Sequence, residues 1–231
     1  LRRYPTLPST NGEALRLATA GAPDRTAVLA ERQTQGRGRR GRGWAFLPGN
    51  LALSLIIDRG AAAAAPGLLS LAVGVAAAQA CRAFGIDARL KWPNDVMLDA
   101  AKLGGILIEA ATPHRYIAGI GLNLAAAPAI EGRATVSLAE RLGRDAAPSL
   151  DAFLAVFEPV LTGWADRWAA GDGASIRAAW LAQADRLGQT ITLTDGDATV
   201  AGIFRSIAED GALGLESDGG LRFFHAGEIL S

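Results

Sequence analysis

Residues 36–44 read GRGRRGRGW, and whether this run is a dinucleotide-binding turn decides the fold. Gly36-Arg37-Gly38-Arg39-Arg40-Gly41 satisfies the spelling G-x-G-x-x-G, and Asp58 follows about 20 residues on, where a ribose-binding acid would stand. A Rossmann unit also needs a helix between its two strands, because its glycines let that helix dock on the sheet. Residues 42–50, RGWAFLPGN, contain two glycines and a proline and supply no such helix. Nor does a Gly-Lys-Ser or Gly-Lys-Thr close the run, which excludes a Walker loop. The segment is therefore a loop between two strands, TAVLAERQ (26–33) before it and LALSLIID (51–58) after it.

That loop carries four arginines, 37, 39, 40 and 42, in a chain with 23 basic and 23 acidic side chains. The even balance gives no general affinity for polyanions. A nucleic-acid surface would need phosphate contacts spread over a face and aromatic interleaving, and only Trp44 is near, so no nucleic-acid partner is expected. Two readings remain. One is a solvated loop; the other is a flap whose charge repulsion and glycine freedom keep it open until a small polyanion enters and meets the guanidinium forks.

Outward from the loop, Thr10-x-x-Glu13 reads as a capping box ahead of the helical run ALRLATA. Pro66 and Gly85 bracket a long apolar helix, GLLSLAVGVAAAQAC at its centre. Ser70 and Gln79 interrupt that run, which falls short of the roughly 20 apolar residues of a membrane span. ARLKW, VML and KLGGILIEA, joined through Pro93-Asn94-Asp95 and residues 99–101, predict a meander, and RYIAGIGLNL a further strand. From Pro148 to Asp185 the pattern is helical, with tryptophans on the apolar stripe. After Leu187-Gly188 come short strands, ITLT, ATVAGIF, ALGLES and LRFF, with turns at Asp195-Gly196 and Asp218-Gly219-Gly220. The expectation is an α/β (α+β) protein of two domains, residues 1–185 and a small β-barrel at 186–231.

Cys81 is the single cysteine, so no internal disulfide forms and a reducing cytoplasm is the natural compartment; its place in the apolar helix reads as core packing. His114 and His225 are far apart and no Cys/His cluster exists, which argues against a protein-built zinc site. Nothing at the amino terminus reads as a signal peptide.

Five motifs stand in order: Ser9-Thr10-Asn11, QTQGRGRRGRGW from Gln33 to Trp44, Lys91-Trp92-Pro93-Asn94-Asp95, Lys102-Leu103-Gly104-Gly105-Ile106-Leu107, and Gly119-Ile120-Gly121-Leu122-Asn123. Together they resemble the bacterial biotin protein ligases over residues 9 to about 142. The likeness continues more loosely through GALGLES and HAGEIL, which resemble that family's carboxy-terminal barrel. The resemblance implies a mixed-sheet, class II synthetase-like core flanked by helices, with an SH3-like β-barrel after it. It also implies a two-step ligase that uses ATP and Mg²⁺ to make biotinyl-adenylate, then passes biotin to a lysine of a biotin carboxyl carrier domain. Activation is chemically necessary, since a carboxylate must become a mixed anhydride before an amine attacks it.

Carried over by resemblance, Ser9, Thr10, Asn11 and Gln33 contact biotin, while Arg37, Gly38 and Arg39 close over biotin and phosphate. Lys102 faces the biotin carboxylate and the α-phosphate, with Gly105 beside it. On spacing alone Lys102 is a surface lysine opening a strand; the following Gly104-Gly105 suggests a closely approaching ligand. Thr10 reads equally as a helix cap. Trp44 stacks near the adenine, Asn123 bonds the base or ribose side, and Lys91, Asn94 and Asp95 shape the nucleotide pocket. Asp95 is a magnesium ligand or a simple turn carboxylate, so no metal ligand is assigned. Arg40 and Arg42 engage the pyrophosphate side or solvent. Two departures stand out: Pro8 where many members have Asp, and Gly43 where many have a basic residue. Only nine residues precede Thr10, too few for the helix-turn-helix of bifunctional members, so a monofunctional ligase is expected. Some members of the family pair two copies through a sheet edge, which leaves a homodimer open for this chain. The competing readings are a lipoate or octanoate ligase, whose Gly-Gly-Gly and His signature is missing, and a non-catalytic binder, which would have no use for Lys102 and the flap.

Overall fold

A computed structural model of the chain describes residues 1–195 and 198–230; Gly196 of the expected Asp195-Gly196 turn lies outside them. A seven-stranded sheet forms the larger unit. In chain order its strands are β1 (Arg2–Tyr4), β2 (Ala27–Ala30), β3 (Leu51–Asp58), β4 (Arg89–Lys91), β5 (Asp95–Leu98), β6 (Ala101–Thr112) and β7 (Arg115–Leu122), arranged β1-β2-β3-β7-β6-β5-β4. β1 and β2 run parallel and every other pair is antiparallel, so the sheet is mixed, and 89–112 is the expected meander.

Strand alternation decides which face does what. On β3, Leu51, Leu53, Leu55 and Ile57 enter the main core, while Ile56 packs on the opposite side. On β7, Ala118, Ile120 and Leu122 enter that same main core, leaving Ile117, Gly119 and Gly121 on the other face. The main core is covered by α2 (Gly67–Ala83), α4 (Leu150–Ala169) and α5 (Gly173–Leu181). α2 is buried along nearly its whole length, which explains an apolar composition on all sides of that helix. Among the described residues no helix is long and apolar enough to cross a membrane.

The other face is covered by α1 (Thr10–Thr19) through Ala14, Leu17 and Ala18 against Val28, Ile56 and Ile117. Here the expected capping box does not form, and a simple cap stands one residue earlier. Ser9, with extended backbone, is the cap and accepts from Gly12 N at 3.4 Å, while Glu13 bonds Arg16 and Tyr4 instead. Thr10 is thereby freed to turn into the sheet. Two short elements escape the sequence pattern: β1, and α3 (Leu138–Leu142), whose Ser137–Glu140 pair does form a capping box.

The carboxy-terminal unit is a five-stranded antiparallel sheet of β8 (Thr190–Asp195), β9 (Ala198–Ile207), β10 (Leu213–Ser217), β11 (Gly220–Phe224) and β12 (Glu228–Ile229), ordered β11-β10-β9-β8-β12. It joins the main core through Phe204 against Trp180, ring centroids 6.1 Å apart, and through Trp92 Nε1 donating to Gly211 O at 3.0 Å.

Candidate active site

The α1 face of the sheet ends in a cleft of about 410 Å³, and every site residue named from the sequence lines it. Its floor exists because β7 carries glycines at alternate positions. A Cβ on Gly119 would stand 2.1 Å from Asn11 Oδ1, and one on Gly121 would stand 2.6 Å from the Trp44 ring. Asn11 and Trp44 occupy the space two side chains would fill. Gly104 and Gly105 serve different neighbours: a Cβ at 104 would strike Leu122 and Gly121 O of the adjacent strand, whereas Gly105 opens toward Lys102 and Trp44. Of the two, Gly105 lines the cleft and Gly104 does not.

At one end of the cleft the lining from Ser9, Thr10, Asn11 and Gln33 is polar and uncharged. Gln33 Oε1 accepts from Thr10 N at 2.7 Å and lies 3.1 Å from Thr10 Oγ1. Ser54 Oγ lies 2.8 Å from Thr10 Oγ1 and donates to Asn11 Oδ1 at 2.5 Å. Asn11 Nδ2 in turn donates to Glu109 Oε2 at 2.7 Å and to Leu107 O at 3.3 Å. Buried polar groups tied in this way hold fixed orientations. Such an end can present amide and hydroxyl groups to a neutral, hydrogen-bonding ligand.

The opposite end is cationic. Lys102 Nζ sits 2.5 Å from Asp95 Oδ1 and 5.7 Å from the Trp44 ring centroid. Burial pulls its pKa below the usual lysine range, with Asp95 opposing the shift. Lys91, half-buried, is lowered for the same first reason. Asn94 holds strand β6 by donating to Ile106 O at 2.8 Å and accepts from Arg39 Nη1 at 3.2 Å. Asn123 is committed to the protein: it donates to Val136 O and accepts from Asn50 Nδ2.

The arginine loop bridges the two ends. It closes on itself through Gly38 N to Arg42 O at 2.7 Å and Trp44 N to Gly36 O at 2.8 Å, around a single 3₁₀ turn in which Arg40 and Gly41 have positive φ. Its arginines do not simply repel one another. Arg37 pairs with Glu109 at 3.0 Å, Arg39 bonds Asn94, and Arg42 makes a two-pronged contact with Glu228 at 3.1 and 2.8 Å. Arg40 is exposed and lines the cleft. The flap is thus tethered on three sides, and self-repulsion does not hold it open. Arg42 is the principal reason Glu228 lies below the usual carboxylate range, and Arg133 also reaches Glu228 at 2.8 Å.

Sequence reasoning missed Ser54, Glu109, Arg133 and Glu228. Ser54 had a signal, as the one hydroxyl in an apolar strand; the other three are ordinary charges made relevant by distant partners. Among the described residues no group of three His, Cys, Asp or Glu could hold a metal ion.

The chain matches the model of the Biotin/lipoate A/B protein ligase family over residues 5–123 and that of the Biotin protein ligase C terminal domain over 187–230. It is 40% identical to a biotin–[acetyl-CoA-carboxylase] ligase of Paracoccus denitrificans, with 96% of both chains covered. It is 34% identical to the bifunctional ligase/repressor of Escherichia coli over 97% of this chain and 72% of that one. In fold it is similar to the Aquifex aeolicus biotin protein ligase solved with biotin and ATP, at a TM-score of 0.85 and 24% identity, with 99% and 96% of the chains covered.

Proposed function

The chain belongs to the Biotin/lipoate A/B protein ligase family, and from that premise we propose how it acts as a biotin protein ligase. Biotin and ATP give biotinyl-5′-AMP and pyrophosphate; the acyl group then passes to a lysine of a biotin carboxyl carrier domain, releasing AMP. One observation carries the assignment of ends: a single cleft joins an uncharged hydrogen-bonding end to a cationic one, and Lys102 is among the lining cations.

Biotin's ureido group fits the Ser9, Thr10, Asn11 and Gln33 end, and its valeryl chain runs over Gly105 toward Lys102. A carboxylate oxygen attacks the α-phosphorus and the bond to the bridging oxygen of pyrophosphate breaks. Negative charge grows on the non-bridging oxygens, where Lys102, Arg37 and Arg39 stabilise it, with Arg40 and Arg42 toward pyrophosphate. Lys91, Asn94 and Asp95 flank the nucleotide, and Trp44 and Asn123 shape its base and ribose side. Since Asn123 already uses its amide internally, its part is to hold the pocket wall. In the second step the neutral carrier amine attacks the acyl carbonyl, and AMP leaves with the anhydride oxygen.

Mg²⁺ is taken to arrive with ATP. Among the described residues there is no carboxylate cluster, and Asp95 is paired to Lys102, so the phosphates and water would supply most ligands, as Mg²⁺ prefers. Residues 1–185 carry the chemistry, and 186–231 brace the flap through Glu228. The lone, buried Cys81 suits a reducing compartment. Self-pairing would use the outer strands β1 or β4, which border the large sheet.

The test is pyrophosphate release from ATP and Mg²⁺. It should depend on biotin and not on lipoate, and Lys102→Ala should lower kcat by roughly 10²–10³. Equal turnover with lipoate, or an active Lys102→Ala variant, defeats this assignment.

A further inference from the structure

We propose that Glu109 is a positioning residue coupling recognition of biotin's ureido end to closure of the arginine flap. This rests on the biotin reading above. Glu109 lies on β6 opposite Ile117 of β7, so it shares the α1 face with the polar end of the cleft, and its side chain is 29% exposed.

One carboxylate oxygen, Oε2, takes two donors from different elements: Asn11 Nδ2 of α1 at 2.7 Å and Arg37 Nη2 of the flap at 3.0 Å. The flap's other side-chain ties, Arg39 to Asn94 and Arg42 to Glu228, lie toward the cationic end. Glu109 is therefore its side-chain anchor at the biotin end. The carboxylate also settles the direction of Asn11. An ionised carboxylate only accepts, so Nδ2 must face it, and Oδ1 is left for the Ser54 hydroxyl.

A continuous path results: Arg37, Glu109, Asn11, Ser54, Thr10 and, through the Thr10 backbone N–H, Gln33. A ureido group bonding Asn11 or Thr10 acts on one end of that path and the flap hangs from the other. Without Glu109, Asn11 could flip its amide and Arg37 would have no fixed counter-charge in the empty or half-filled site. Glu109 itself needs no contact with a reacting atom.

The experiment uses Glu109→Gln, which keeps an oxygen acceptor for Asn11 but removes the charge that holds Arg37. Biotinyl-adenylate is formed in a single turnover, and its release is followed with excess unlabelled biotinyl-adenylate analogue as trap. Release from Glu109→Gln should be roughly three- to tenfold faster, the range for a charge-assisted bond discounted for its partial exposure. Biotin KM should rise by more than kcat falls, and biotin should protect residues 36–43 from protease less well. The decisive arm is Arg37→Ala: adding Glu109→Gln to it should produce little further acceleration, because both act through one contact. Additive effects, or unchanged release from Glu109→Gln, overturn the proposal. Glu109→Asp serves as the second variant should the amide destabilise the fold. With its charge retained, it should release adenylate more slowly than Glu109→Gln, and equal release counts against the coupling. If the wild type makes no biotinyl-adenylate at all, it is the ligase reading that fails.

Discussion

Gly121→Ala places a methyl group where the Trp44 ring now rests, and its consequence follows from the geometry. The new Cβ would stand 2.6, 2.7 and 2.8 Å from Trp44 Cε2, Cζ2 and Nε1. Ordinary contact between carbon atoms is about 3.5–4.0 Å, so one partner must retreat by about 1 Å. β7 cannot, because Gly121 is paired on both sides, with Ala52 of β3 and Gly105 of β6. The ring moves instead, and with it the base of the flap, since Trp44 N holds Gly36 O at 2.8 Å. Gly36 offers no slack, as its own Cβ position lies 2.5 Å from Trp44 O. Overpacking of this kind costs about 1–3 kcal/mol. If the cost appears as lost flap order in the transition state, kcat/KM for ATP in biotin-dependent pyrophosphate release falls by about five- to 150-fold. Trp44→Ala supplies the control. It removes the obstructed ring, so adding Gly121→Ala to that background should change kcat/KM by less than about twofold. A loss as large in that background as in the wild type would show that the alanine acts through the sheet, and the steric argument would be refuted.

The same cleft gives a pH prediction. Burial lowers the Lys102 pKa and Asp95 opposes that shift, so Asp95→Asn should lower it further. The alkaline fall of kcat/KM for biotin, where Lys102 loses its proton, should therefore move to lower pH; a limb that stays or moves upward rejects Lys102 as the titrating group. For folding the sign is complementary: the unfolded chain binds that proton more readily, so Lys102's linkage contribution to stability rises as pH climbs from the folded toward the unfolded pKa. Cys81 is fully buried and its thiol is pushed up to about 12 by burial. It should resist thiol reagents in the native protein and react at the rate of unfolding, a result that prompt native labelling would contradict.

What the sequence made legible, and what it hid, divides by distance along the chain. Most of the cleft lining sits in five short motifs, and the glycines that make room for Asn11 and Trp44 are written within them. Ser9 and Thr10 are both good caps, and only the extended backbone at Ser9 separates the cap from the helix's first residue. β1 has three residues and α3 five, too few for a periodic pattern to emerge. The holding groups were the least visible: Ser54 is 43 positions from Asn11, Glu109 is 72 from Arg37, and Glu228 is 186 from Arg42. This is why GRGRRGRGW misleads when read alone. Four guanidiniums on a glycine chain suggest a flap that springs open, yet the fold sets Glu109 and Asn94 against two of them and Glu228 against a third. Closing such a flap on a phosphate then builds on tethers already in place and does not wait on the quenching of a repulsion. How firmly the acidic tethers hold ties the rate of adenylate release to residues that the motif itself does not contain.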